Sequence, residues 1–132
     1  MLSKQVCVVG AGNWGKNHIR TLHELGVLGG IVEKNSDLLE QFSEKYPNVS
    51  TYQNLDNALE NNDFAGFTLA TPAKTHYEIA KKIIVAGKHI LVEKPLALNI
   101  KNATKLVELA NKNNINLMIG HVLLFHPAIQ MI

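Results

Sequence analysis

The 132-residue chain has a single cysteine, Cys7, so no intramolecular disulfide can form. That thiol sits inside a short apolar run, where a small buried side chain is the plain expectation, and a reducing cytoplasm suits it. No stretch approaches the roughly 18 continuous apolar residues of a membrane span. Only four apolar residues, Val6 to Val9, separate the Lys4 region from a glycine loop, too few for the core of a secretory leader. Neither sign of charge dominates: 13 Lys and Arg against 11 Asp and Glu give a formal +2. The lysines are dispersed, which argues against a nucleic-acid surface. There is no internal repeat, low-complexity tract or linker. What is present, 46% apolar and 18% charged residues in a chain of this length, describes an ordinary soluble protein with one core.

Apolar runs of strand length alternate with stretches of helical period. Strands are expected at Val6 to Val9, Val27 to Glu33, Val49 to Tyr52, Phe64 to Ala70, His89 to Val92 and Asn116 to Val122. The Gly29-Gly30 pair weakens the second of these. Helices are expected from Trp14 to Leu25 with Gly26 as a stop, from Asn35 or Ser36 up to Pro47, and briefly after Asn54. Two more run from Lys74 to Gly87 and from a cap at Asn99 through Ala110. Near-continuous apolar strands alternating with helices predict an α/β fold, a doubly wound and mostly parallel sheet with helices on both faces. Ligands of such sheets lie outside the carboxyl ends of the strands.

At the first of those ends stands Gly10-Ala11-Gly12-Asn13-Trp14-Gly15, with Glu33 placed 18 residues beyond the last glycine. The first glycine permits a tight turn, the second a close backbone approach to a pyrophosphate, and the third close packing of helix on strand. Unpaired amides of the following helix then face the phosphate charge. Glu33 can accept hydrogen bonds from ribose hydroxyls and would repel a 2′-phosphate, favouring NAD over NADP. Lys34 beside it weakens that preference, and a solvated strand-end carboxylate is the bland alternative.

Further residues fall at other strand ends. Thr71-Pro72 forces a sharp exit, and His76 lies in the first helical turn, where the dipole favours a neutral ring making one hydrogen bond. Taken alone, His76 reads as a structural or capping residue. Glu93-Lys94-Pro95 puts two opposite charges at the end of an apolar strand, with Lys94 able to hold or polarise a substrate hydroxyl. A solvated Glu-Lys pair is the equal alternative. His121 is placed as a substrate or proton-transfer contact, against a packed or solvent-facing ring. His121 and His126 lack a metal-ligand spacing, so no metal site is expected.

The glycine loop, Ala70-Thr71-Pro72 with His76, and Ala86-Gly87-Lys88-His89-Ile90-Leu91-Val92-Glu93-Lys94-Pro95-Leu96 together resemble the N-terminal half of the Gfo/Idh/MocA oxidoreductases. The resemblance implies a Rossmann domain over residues 1–122 that binds NAD or NADP. Gly10, Ala11, Gly12, Asn13, Trp14, Gly15, Glu33, Thr71, Pro72, His76, Glu93 and Lys94 would contact the cofactor. Lys94 would be catalytic, with His121 added as a catalytic candidate from its place at the last strand end. Residues 123–132 are similar to the start of the crossing into the family's C-terminal α/β domain, which forms the substrate wall and oligomer interface and which this sequence does not contain. The form is most similar to members that oxidise the 3-hydroxyl of UDP-N-acetylglucosamine or its uronic acid.

The resemblance therefore implies hydride transfer from a sugar or UDP-sugar carbinol to NAD in a homo-oligomeric enzyme, with dinucleotide binding but little turnover by these 132 residues alone. Two other readings stay open at this stage. One is an NAD-binding module without catalysis that self-associates through the apolar stretch Val122 to Ile132. The other is a methyltransferase using adenosylmethionine, which leaves Glu93-Lys94-Pro95 unexplained.

Overall fold

The computed structural model describes residues 5–61 and 63–120. They form six strands, β1 (Val6–Val9), β2 (Leu28–Val32), β3 (Ser50–Tyr52), β4 (Gly66–Leu69), β5 (His89–Glu93) and β6 (Leu117–Gly120). Five α-helices connect them: α1 (Asn13–Glu24), α2 (Ser36–Lys45), α3 (Leu55–Leu59), α4 (His76–Val85) and α5 (Ile100–Lys112). All five strand pairings are parallel, in the order β3-β2-β1-β4-β5-β6. The expected doubly wound α/β sheet is therefore the fold. Its chain leaves β1 in one direction and returns to β4 on the other side, so the carboxyl ends of β1 and β4 flank the switch point where such sheets open a crevice.

Alternation along β1 assigns the two faces. Val8 packs with Ile19 of α1, Ile31 of β2 and Leu39 of α2. Cys7 and Val9 face the opposite way, into a larger cluster built from Phe67, Leu69, Ile83, Ile90, Val92 and Leu106. Period-two strands buried on both sides by helices with apolar stripes give this arrangement directly.

Local chemistry fixes the element ends. Asn35, Asn54 and Asn99 cap α2, α3 and α5, their side-chain oxygens accepting from Leu38, Asp56 and Asn102 amides at 3.0, 2.8 and 2.8 Å. Gly26 and Gly87 take left-handed φ of +77° and +79° just past α1 and α4. Tyr46 leaves helical geometry at φ −125°, as the residue before Pro47 must.

Three expectations shift. The helix expected from Lys74 starts at His76, because Pro72 to Thr75 close a 3-10 turn through the Thr75 amide and hydroxyl, both donating to the Pro72 carbonyl. The strand expected from Phe64 enters the ladder only at Gly66, while Phe64 packs its ring edge-on to Phe67 and Tyr52. The last strand is described to Gly120, and residues 121 and 122 of its expected range lie outside the described residues.

The glycine pair has a specific use. The β1-β2 register slips between Val6-Leu28 and Cys7-Gly30, placing Gly29 as the extra residue of a bulge. A Cβ on Gly30 would lie 2.6 Å from Phe64 Cζ, so the missing side chain is the space that the ring occupies.

Candidate active site

The three loop glycines are required for three different reasons. Gly10 turns with φ +98°, and a Cβ there would press on Ala70 and Thr71 at 3.0 Å. Gly15 lets α1 sit on the turn, since its Cβ would fall 1.8 Å from the Gly10 carbonyl oxygen. Gly12 meets nothing within 4 Å and leaves open space above the backbone. It occupies the N-cap of α1 with no side-chain cap and no acidic residue in the first turn, so the leading amides stay available to an anion. Ala11 is buried, whereas Asn13 and Trp14 are exposed on that turn.

Glu33 follows the end of β2 and is already committed to the loop. Its Oε1 accepts from the Ala11 amide at 2.8 Å, and its Oε2 from the Asn35 amide at 2.9 Å. Each oxygen keeps a lone pair for a further donor. Between this carboxylate, Gly10, Gly12 and the Thr71-Pro72 corner opens a cleft of about 690 Å³ that also takes in Asn35 and Leu38. The cavity lies at the switch point and is large enough for a nucleoside.

At the end of β4 the hydroxyls form a directed chain. Thr75 donates to the Pro72 carbonyl at 2.6 Å, so the Thr71 hydroxyl, 2.6 Å away, donates to Thr75. Thr71 therefore presents only acceptor capacity to the cleft. His76 is almost completely buried, with Nδ1 2.6 Å from the Pro95 carbonyl oxygen and Nε2 2.8 Å from that of Thr71. The sequence suggested one hydrogen bond for this ring; the fold offers it two acceptors and no open path to the cleft.

Glu93-Lys94-Pro95 closes β5. The Lys94 amide donates to the Gly120 carbonyl at 3.2 Å, and its side chain is exposed. Among the described residues no carboxylate pairs with its ammonium. Glu93 Oε1 bonds His18 Nε2 on α1, a partner 75 residues away in the chain that helical periodicity alone could not reveal. His121 lies outside the described residues, as does the segment 123–132. The fold thus gathers the glycine loop, Glu33, Thr71 and Pro72 around one cleft, places Glu93 and Lys94 at the neighbouring strand end, and buries His76 between the two.

The chemistry of this edge fits a dinucleotide: an open backbone cradle at a helix start, a carboxylate beside it, and a cation further along. The family model described as an oxidoreductase family with an NAD-binding Rossmann fold matches residues 4–121. The UDP-N-acetylglucosamine 3-dehydrogenase of Acidithiobacillus ferrooxidans is 28% identical over 130 residues, 98% of this chain and 41% of that protein. The inositol 2-dehydrogenase of Pseudarthrobacter chlorophenolicus is 31% identical over 107 residues, 79% of this chain and 32% of its own length. GenD2 from gentamicin A biosynthesis, solved in complex with NAD, superposes with a TM-score of 0.90 at 29% identity, covering 96% of this chain and 37% of GenD2. The chain spans less than half the length of each of these relatives. An oxidoreductase assignment removes the adenosylmethionine alternative, and the match over residues 4–121, which takes in the glycine loop, the Thr71-Pro72 corner and the Glu93-Lys94-Pro95 turn, shows that this chain belongs to the Gfo/Idh/MocA family.

Proposed function

We infer that these residues form the dinucleotide-binding part of an oxidoreductase that removes hydride from a carbinol carbon of a sugar or nucleotide sugar, with NAD preferred to NADP. The observation that carries this reading is the Glu33 carboxylate, fixed by two amides at the wall of the switch-point cleft. There it can accept from both ribose hydroxyls, and its charge opposes a 2′-phosphate. Gly12 and the opening amides of α1 receive the diphosphate, and Thr71 and Pro72 border the path toward β5. When bound, the nicotinamide supplies the hydride-accepting carbon.

Lys94 supplies what the alcohol requires from this chain. Its exposed ammonium, at the next strand end, donates to the substrate oxygen and stabilises negative charge as the hydroxyl proton leaves to a base. His121, the residue after Gly120 in the sequence, is the second contact proposed for the alcohol. The sugar class is supported by relatives named for UDP-N-acetylglucosamine and inositol oxidation.

Calorimetric titration with NAD and NADP tests the reading. The native chain binds NAD at least about tenfold more tightly, and Glu33→Ala narrows or inverts that ratio. Folded protein giving no heat with either dinucleotide would overturn it.

A further inference from the structure

Lys94 has exposed side-chain atoms but a tightly held backbone, and the groups that hold it come from three separate elements. Its amide donates to the Gly120 carbonyl of β6 at 3.2 Å. On one side Glu93 is bonded by His18, which stands on α1, one turn beyond the glycine loop. On the other side the Pro95 carbonyl lies 2.6 Å from His76 Nδ1 at the start of α4. The opposite nitrogen of that ring reaches the Thr71 carbonyl, so His76 spans the ends of β4 and β5.

We propose that His18 and His76 are a pair of positioning residues that fix the Lys94 turn from its two sides, tying it to the helix that opens on the glycine loop and to the Thr71 corner of the cleft. The proposal rests on the role given to Lys94 above. Neither ring is arranged to meet substrate or dinucleotide: His76 is 1% exposed with both nitrogens facing carbonyls, and the His18 side chain is 17% exposed with Nε2 on Glu93.

The packing around Glu93 supports a fixed carboxylate. A Cβ on Gly120 would lie 3.2 Å from Glu93 Oε1, so the bare backbone of β6 is what lets the carboxylate lie flat on its way to His18. The Glu93 side chain is 14% exposed and would find no other cation among the described residues within ion-pair distance. Without His18 this partly buried charge loses its partner, and the turn loses one of its three anchors.

Native-state amide exchange read by NMR tests this without substrate or dinucleotide, so a failure of Lys94 as the alcohol contact leaves the result intact. Loss of one net hydrogen bond predicts that His18→Ala speeds exchange of the Lys94 amide by about threefold to tenfold. The Val8 and Val9 amides of β1 keep their rates. His18→Gln, whose side-chain amide can still donate to Glu93, restores Lys94 protection. An unchanged Lys94 rate in His18→Ala would overturn the proposal, as would an equal acceleration at Lys94, Val8 and Val9. If His18→Ala does not fold, Glu93→Gln carries the same comparison, with selective loss at Lys94 supporting the clamp and none overturning it.

Discussion

An alanine at position 15 would place a methyl group 1.8 Å from the Gly10 carbonyl oxygen and 2.6 Å from its carbon, more than an ångström short of ordinary contact. Both neighbours are backbone, so no side-chain rotation relieves the overlap. The start of α1 must lift off the turn. Alanine favours the helix itself by about 1 kcal/mol, whereas overpacking of this severity costs about 3 kcal/mol. The net loss is about 2 kcal/mol, a large share of the ~5–15 kcal/mol that holds a domain together. Urea unfolding followed by circular dichroism and by the fluorescence of the lone tryptophan, Trp14, measures it. The midpoint should fall by about 1 M. Gly12→Ala provides the contrast, because its methyl group meets nothing within 4 Å. Its midpoint should move little, the N-cap change costing under about 1 kcal/mol, while NAD affinity falls about tenfold as the methyl takes the diphosphate's space. Equal midpoints for the two variants would refute the division of labour among the glycines.

Two further outcomes follow from the core. Burial pushes the Cys7 thiol well above its ordinary ionisation value of 9.0, so the folded protein stays protonated there after the unfolded chain has ionised. Its contribution is constant below pH 9.0 and declines above it, by up to about 1.4 kcal/mol per pH unit. The stability difference between the native protein and Cys7→Ala should therefore shrink from pH 8 to pH 10, and a constant difference would count against it. Gly30→Ala should destabilise by about 1–3 kcal/mol in thermal unfolding, through the 2.6 Å approach to Phe64. Phe64→Leu in the same chain should recover part of that loss, and a cycle with no coupling between the two sites would exclude the contact as the cause.

Elements whose ends carry their own chemistry were legible from sequence. The caps at Asn54 and Asn99, the glycine stops after α1 and α4, and the proline that limits α2 each act on neighbouring residues, so spacing alone located them, while spacing leaves the α2 cap between Asn35 and Ser36 and the structure shows Asn35. The glycine loop was legible for the same reason. What escaped was tertiary. His18 and Glu93 are separated by 75 residues and meet only because α1 crosses toward the end of β5. Gly30 lowers strand propensity when considered locally, yet it is required by a ring 34 positions on that lies across the sheet. Nor did any local pattern show that His76 would face two carbonyls, since one of them belongs to a turn beyond the next strand.

The grip of two amides on the Glu33 carboxylate bears on how dinucleotide choice could be altered. Deleting the carboxylate leaves the Ala11 and Asn35 N–H groups without their acceptor, with Asn35 and Lys34 on the wall of the cleft. Those are the donors an extra phosphate would seek. On the proposed reading, one substitution at position 33 turns a corner that opposes a 2′-phosphate into one that offers it donors.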